Sequence, residues 1–368
     1  MIPRCRIDPE TLREVLENGP ELAAWLDAGP ADPVAAGVAA RLLGRLGRAE
    51  KLLSAALAAN PSVRARVRLA IVYQWQGRLS LAEDEFRACL DSDDHFAWQH
   101  AGKCAYEAGD WALARDRFAA AVRLRDGLED PELAVSSRLG WDAADACATA
   151  AEAATELHRL VPPVHRAALT ALAGPPEQRV LRVLGGLRRT SPEVLRGILR
   201  YHPDGTDTAL TELARDGFLQ VDGDIVVTPL GEESLRALAA CEEAVAAELW
   251  PAPDAALALI RRAVEGAGPS EGPVFAAVRE LERDGCAAVR LFDRLYALRH
   301  HRADAHAAAW RSEGLTAEEV VALPAGTPQR GRIETATDRV ASRAYRPLSP
   351  ADRAAVLDAL RALPSEEP

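Results

Sequence analysis

Apolar and small residues recur along the first 130 positions at helical spacing, and the pattern repeats itself. Three stretches align without gaps: Gly44-Arg-Leu-Gly-Arg-Ala49-Glu-Lys-Leu-Leu53, Gly77-Arg-Leu-Ser-Leu-Ala82-Glu-Asp-Glu-Phe86 and Gly109-Asp-Trp-Ala-Leu-Ala114-Arg-Asp-Arg-Phe118, at offsets of 33 and 32 residues. Each has a small residue seven places before its turn glycine (Gly37, Ala70, Gly102) and another seven after its central alanine (Ala56, Cys89, Ala121). Small residues there let two helices approach, the glycine supplies the bend, and Leu53, Phe86 and Phe118 fill the space between. Pro61 stops the first pair. The pattern predicts helical hairpins over 30–130, preceded by an N-terminal helical cap over 1–29. The Pro131–Pro162 stretch lacks a turn glycine and reads as a capping helix, closing the repeat region at residue 162.

After the Ala173-Gly-Pro-Pro176 loop the periodicity shortens. Helical pieces are expected over about Glu177–Arg188, Ser191–Leu199 and Thr206–Asp216. Phe218-Leu-Gln-Val-Asp-Gly-Asp-Ile-Val-Val-Thr then reads as two short strands about an Asp-Gly turn. Thr228-Pro-Leu-Gly opens another helix, and from Pro273 the pattern is helical again. The expected fold is mainly α: a helical-hairpin solenoid, a winged-helix-like segment over 175–245 and a C-terminal helical bundle over 246–368.

The repeat resembles the tetratricopeptide family, whose period and small/large pattern it follows over residues 30–130. The unit from His95 to about Leu128 fits best, through Trp98, Gly102, Gly109, Ala114, Phe118 and Ala121. That resemblance implies a ligand groove on the first helix of each pair. It would carry Arg64, Val67, Ile71, Gln74 and Trp75 from the second unit, and Phe96, Gln99, Lys103, Tyr106 and Glu107 from the third. Aromatics with amides and isolated charges suit an extended peptide, supplied by a partner or by another part of this chain.

The stretch "ALTELARDGFLQVDGDIVVTPLGEESLRAL" resembles the recognition helix and wing of MarR-type regulators. The fold alone does not establish DNA binding. Residues 175–240 carry eight arginines against ten acids, and the wing tip is Asp222-Gly223-Asp224. Arg196, Arg200 and Arg215 are the candidate DNA contacts, but acid beside them disfavours a phosphate backbone.

The C-terminal third concentrates polar residues in Arg299-His-His-Arg302-Ala-Asp304-Ala-His306-Ala-Ala-Ala-Trp310-Arg311, followed by Ile333-Glu334-Thr-Ala-Thr-Asp338-Arg339. Arg299, Arg302, His306 and Trp310 fall on one helical stripe, His300 and Asp304 on another, and Glu334 stacks with Asp338. These "HRxDxH" and "IExxTDRxA" runs are similar to the C-terminal part of an actinobacterial family with MarR-like winged-helix character, which brings no activity to carry over. Three readings stay open. Arg299 or Arg302 with Glu334 or Asp338 would lock the helices together. His306, with Asp304, Arg302 and Glu334, would form a small-molecule or acid/base site. His300 and Asp304 would be two ligands of a metal site with no evident third.

Composition narrows the classes. With 48% hydrophobic residues, 27% charged, 5% aromatic and one Met, the 368-residue chain is globular and its interiors are filled by Leu, Ala and Val, which favours helix. The net charge of −11 argues against a chain-wide nucleic-acid footprint. Lys51 and Lys103 are the only lysines. Six scattered cysteines with no Cys-x-x-Cys spacing fit a reducing compartment, and no apolar leader or membrane span is seen, so a cytoplasmic location is expected. No dinucleotide, Walker, zincin or serine-hydrolase motif appears, so no cofactor is expected. A binding or scaffold protein, with a transcriptional regulator as its DNA-contacting version, is the first functional reading. An enzyme or pathway accessory protein with a small-molecule or peptide-modifying site on the Arg299–Trp310 helix is the alternative.

Overall fold

The computed structural model of the chain describes residues 3–172, 181, 183–201, 204–268 and 272–365. The 173–176 loop, residues 177–180 and 182 of the expected 177–188 helix, and His202 lie outside them, and residues 184–188 form a turn and an irregular stretch instead of helix. The described residues are mainly helical, with 17 helices and two small sheets. The chain divides into two compact units, Met1–Asp145 and Ala146–Pro368.

The first unit begins as a hairpin, where a helical cap was expected. Strands β1 (Cys5–Ile7) and β2 (Glu14–Leu16) pair antiparallel, with Cys5 opposite Leu16. The reason is turn chemistry: Asp8 Oδ1 accepts from the Thr11 amide at 2.8 Å, the Glu10 amide at 3.0 Å and the Thr11 hydroxyl at 3.0 Å, and Pro9 between them has no amide to give a helix. Helix α1 (Gly19–Asp27) follows and buries Leu22 and Leu26.

Three helix pairs come next: α2 (Pro33–Leu42) with α3 (Leu46–Ala59), α4 (Val63–Trp75) with α5 (Leu79–Arg87), and α6 (His95–Ala108) with α7 (Trp111–Arg125). Side chains of Asp32, Ser62, Asp94 and Asp110 cap the starts of α2, α4, α6 and α7. The turn glycines Gly44, Gly77 and Gly109 have φ of 71°, 76° and 80°, the left-handed region that favours glycine. The small–large partners of the repeat are contacts: a Cβ on Gly37 would stand 2.5 Å from Leu53 Cγ, and one on Gly102 2.9 Å from the Phe118 ring. Leu53, Phe86 and Phe118 are fully buried. Helix α8 (Pro131–Leu172) does not stop at Pro162 as expected, but runs on through Pro163. Val161, Val164 and Ala168 are all buried, so packing on one face outweighs the missing amides.

In the second unit, β3 (Arg189–Thr190), α9 (Pro192–Ile198), α10 (Thr206–Arg215), β4 (Leu219–Asp222) and β5 (Asp224–Val227) follow in winged-helix order. The sheet order is β3-β5-β4, with Asp222 opposite Asp224 across Gly223. Then come α11 (Pro229–Leu249), α12 (Asp254–Gly266), α13 (Pro273–Val278), α14 (Ala287–Ser312), α15 (Ala317–Ala322), α16 (Pro328–Ala341) and α17 (Pro350–Ala362). The winged segment and the later helices share one core, in which Leu213, Ile225 and Leu235 join Trp250, Leu291 and Leu360. A division at residue 245 therefore does not separate two cores. No described helix is long and apolar enough to cross a membrane.

Candidate functional site

On the first unit's helix pairs, Trp75, Lys103, Tyr106 and Glu107 contact the chain's own amino-terminal hairpin. Tyr106 donates from its hydroxyl to the Glu10 carbonyl oxygen at 2.9 Å. The Arg13 guanidinium ion-pairs with Glu107 and lies 5.4 Å from the centre of the Trp75 ring, while Gln74 Nε2 donates to Glu107 at 2.9 Å. Glu14 lies 3.9 Å from Lys103 and 3.2 Å from Arg41. Burial alone would push the Glu14 carboxyl up, but the charges of Lys103, Arg41 and His100 hold it down at about 2. Gln99 turns away, toward Ser136 and Ser137 of α8. Arg64 pairs with Asp94 at 3.3 Å at an exposed position.

In the second unit, a cavity of about 260 Å³ is bounded by α8, α9, α14 and α16. Its walls include Leu157, Gly197, Ile198, Arg200, Tyr201, Arg299, His300, Arg302, His306 and Glu334. Arg302 spans the two acids, with Nη1 2.6 Å from Asp338 and Nη2 3.2 Å from Glu334. That is the interhelical lock read from the sequence, made by Arg302 and not by Arg299. The alanines around His306 permit the approach of α16, and Trp310 closes the end of α14 in an apolar cluster with Val320 and Ile333.

Asp304 does not join His306. Its Oδ1 accepts from Arg200, and its Oδ2 from the Phe275 amide at 2.9 Å. Arg200 also donates to the carbonyls of Ala303, at 2.6 Å, and of Gly197. Arg200 is thus an internal strut, with its guanidinium donors engaged inside the fold. Asp304, with both oxygens engaged, is poorly placed as a metal ligand beside His300, and no group of three or more metal-ligating side chains occurs among the described residues.

His306 Nδ1 is 2.7 Å from the Tyr201 hydroxyl, and its Nε2 is 3.8 Å from Glu334. Burial first, then the Arg302, Arg330 and Arg200 charges, lower His306 to about 4, so its ring is neutral near pH 7. Burial holds the Tyr201 phenol in its protonated form. A phenol donating to Nδ1 leaves the imidazole proton on Nε2, facing Glu334. Tyr201 was not a sequence candidate, because it lies 105 positions from His306 and outside any repeated pattern.

His300 is 3% exposed, and neither ring nitrogen has a hydrogen-bond partner. Its ring meets Tyr296 edge-on at 4.4 Å. Burial, with Arg299 and Arg200 nearby, pushes His300 well below its usual range. Burial likewise lowers Arg299.

A second cavity of about 330 Å³, lined by His165, Glu242, Arg283 and Asp293, is electrostatically satisfied. Arg283 lies 2.5 Å from Glu242 and 2.5 Å from Asp293, and His165 Nδ1 is 2.8 Å from Glu242. Burial pushes Glu242 up, but the His165 hydrogen bond and the Arg283 charge leave it below its usual value.

The winged surface is locally neutralised. Arg215 pairs with Asp216 at 2.9 Å, Arg189 with Asp224 at 2.8 Å, and Arg188 approaches Glu232 at 3.8 Å. Arg196 is exposed on α9. A helix-turn-helix family matches residues 230–327, from the second residue of α11 to the start of α16, a little over a quarter of the chain. The second unit therefore carries a segment similar to helix-turn-helix proteins, and the match covers the Arg299–Trp310 helix. Neither a curated protein nor a solved structure matches the chain.

Proposed function

We propose that the chain is a regulatory binding protein whose helix pairs, similar to tetratricopeptide repeats, hold an extended arginine-bearing protein segment. The second unit, which carries the segment similar to helix-turn-helix proteins, supplies a second recognition surface. The observation that carries this is the docking of residues 10–14: a tyrosine reads a backbone carbonyl, a glutamate reads an arginine, and an indole face supports that arginine. These contacts within the chain support a groove that takes a peptide-like segment, and a partner segment of the same chemistry would compete for it.

Protein contact is favoured over DNA because Arg188, Arg189 and Arg215 each have an acid beside them, and the wing ends in two aspartates. A chain starting at Gly19 is expected to bind a fluorescent peptide of residues 3–18 saturably, and to bind its Arg13→Ala form about ten-fold more weakly. Absence of saturable binding, or equal binding of the two peptides, overturns the groove reading. Gel shifts of the full chain on genomic fragments across a salt series test the surface separately. A strongly salt-dependent shift would move the second unit to DNA recognition.

The enzyme reading draws on the Tyr201–His306 pair beside a cavity. At a pKa of about 4, His306 is a weak base for work near neutrality, so the pair is better suited to hydrogen bonding than to proton abstraction.

A further inference from the structure

We propose that the cavity bounded by Arg299 and His300 is a binding site for a small organic monocarboxylate. Two independent features point to a ligand. Arg299 makes no ion pair or hydrogen bond from its guanidinium among the described residues, although every other arginine on the cavity wall is engaged. His300 lines the same cavity, 3% exposed, with both ring nitrogens unsatisfied. Buried polar groups without partners are rare, and here one, His300, meets a half-buried guanidinium without a counter-ion at the same cavity.

Charge selects the class. Of the arginines on the cavity wall, Arg200 pairs with Asp304 and Arg302 with Glu334 and Asp338, which leaves Arg299 as the one with no acid beside it. One carboxylate balances it, whereas a phosphate dianion would reverse the sign next to Glu334. A guanidinium fork also matches the two oxygens of a carboxylate, and a neutral His300 has one N–H to add.

Size and lining select the rest. A cavity of 150 Å³ holds a benzene ring, so about 260 Å³ takes roughly ten non-hydrogen atoms. Leu157, Ile198 and Ala154 line it and would cover an apolar tail. The Tyr201 hydroxyl and His306 Nδ1 already satisfy each other and His306 Nε2 faces Glu334, which leaves Arg299 and His300 as the head-group contacts. This site is independent of the groove of the first unit, so either proposal can fail alone.

The test is titration calorimetry of the full chain with a series of sodium carboxylates from acetate through hexanoate to phenylacetate, each beside its primary amide, and with inorganic phosphate. Saturable binding that strengthens with tail length is expected, with each amide about ten-fold weaker or worse. Arg299→Met should abolish binding, and Arg299→Lys should keep part of it. Because Arg299 has no counter-ion, Arg299→Met should unfold at the same temperature or higher, which separates loss of the site from loss of the fold. No saturable binding by any acid, equal binding of acids and amides, full affinity in Arg299→Met, or tighter binding of phosphate would each overturn the proposal.

Discussion

The Tyr106 hydroxyl donates to the backbone carbonyl of Glu10, 96 positions earlier in the chain, at 2.9 Å. This contact and the Arg13–Glu107 ion pair seat the amino-terminal hairpin on the helix pairs. Tyr106→Phe removes one neutral hydrogen bond and should cost about 1 kcal/mol. The effect should be local: in hydrogen exchange, amides of residues 5–16 lose protection while those of α7 keep theirs. Equal loss in both would mean that the hairpin and the helix pairs open together.

Gly102 sits in the interior of α6, where alanine would ordinarily gain about 1 kcal/mol. A Cβ there would stand 2.9 Å from the Phe118 ring, and overpacking of that kind costs about 1–3 kcal/mol. Gly102→Ala should therefore be neutral to about 2 kcal/mol destabilising by urea unfolding, and Phe118→Leu in the same chain should recover part of the loss. A clear gain in stability from the single substitution would contradict the close approach.

Arg302 lies between Asp338 and Glu334, and Asp338 is 7% exposed. Removing one partner of a buried pair costs about 3–5 kcal/mol, and the partial exposure of Arg302 should bring Asp338→Ala to about 2–3 kcal/mol. The double variant Arg302→Leu with Asp338→Leu should lose less than the two single losses combined. Strict additivity would mean that the two side chains do not act as a pair.

His301 and His306 are both held near a pKa of about 4, chiefly by burial. An unfolded histidine takes up its proton near pH 6.5. Both therefore favour the fold fully above that value, and the contribution is lost as pH falls from 6.5 toward 4, by up to about 3 kcal/mol each. Glu14 acts in a lower window: its carboxyl is held at about 2, so its contribution is intact above about 4.5 and lost below. Urea unfolding between pH 7.5 and 5 thus reads the histidines with little interference from Glu14. The fall in stability should be shallower in His301→Asn. An unchanged slope would place the protonation elsewhere.

The helix pairs were legible because their packing follows a local sequence period: Gly37, Gly102, Leu53 and Phe118 announce their own contacts. The Arg302 lock was legible for a similar reason, since Glu334 and Asp338 share one helical face. Arg200, Tyr201 and Arg283 were not, because their partners Asp304, His306 and Glu242 lie 104, 105 and 41 positions away, and nothing local marks the pairing. The hairpin was missed for a different reason. Its strands are three residues each, too short for alternation to register, and the Asp8 turn that starts it resembles a helix cap in sequence.

The docked hairpin is covalently joined to the surface it covers. Its effective concentration there is on the order of millimolar, so a free segment with the same contacts must outcompete a tethered rival. The tether raises the apparent dissociation constant of a partner by a constant factor and leaves its binding curve hyperbolic, and Arg13→Ala, which weakens the tethered rival and frees Glu107 for the partner, should lower that constant.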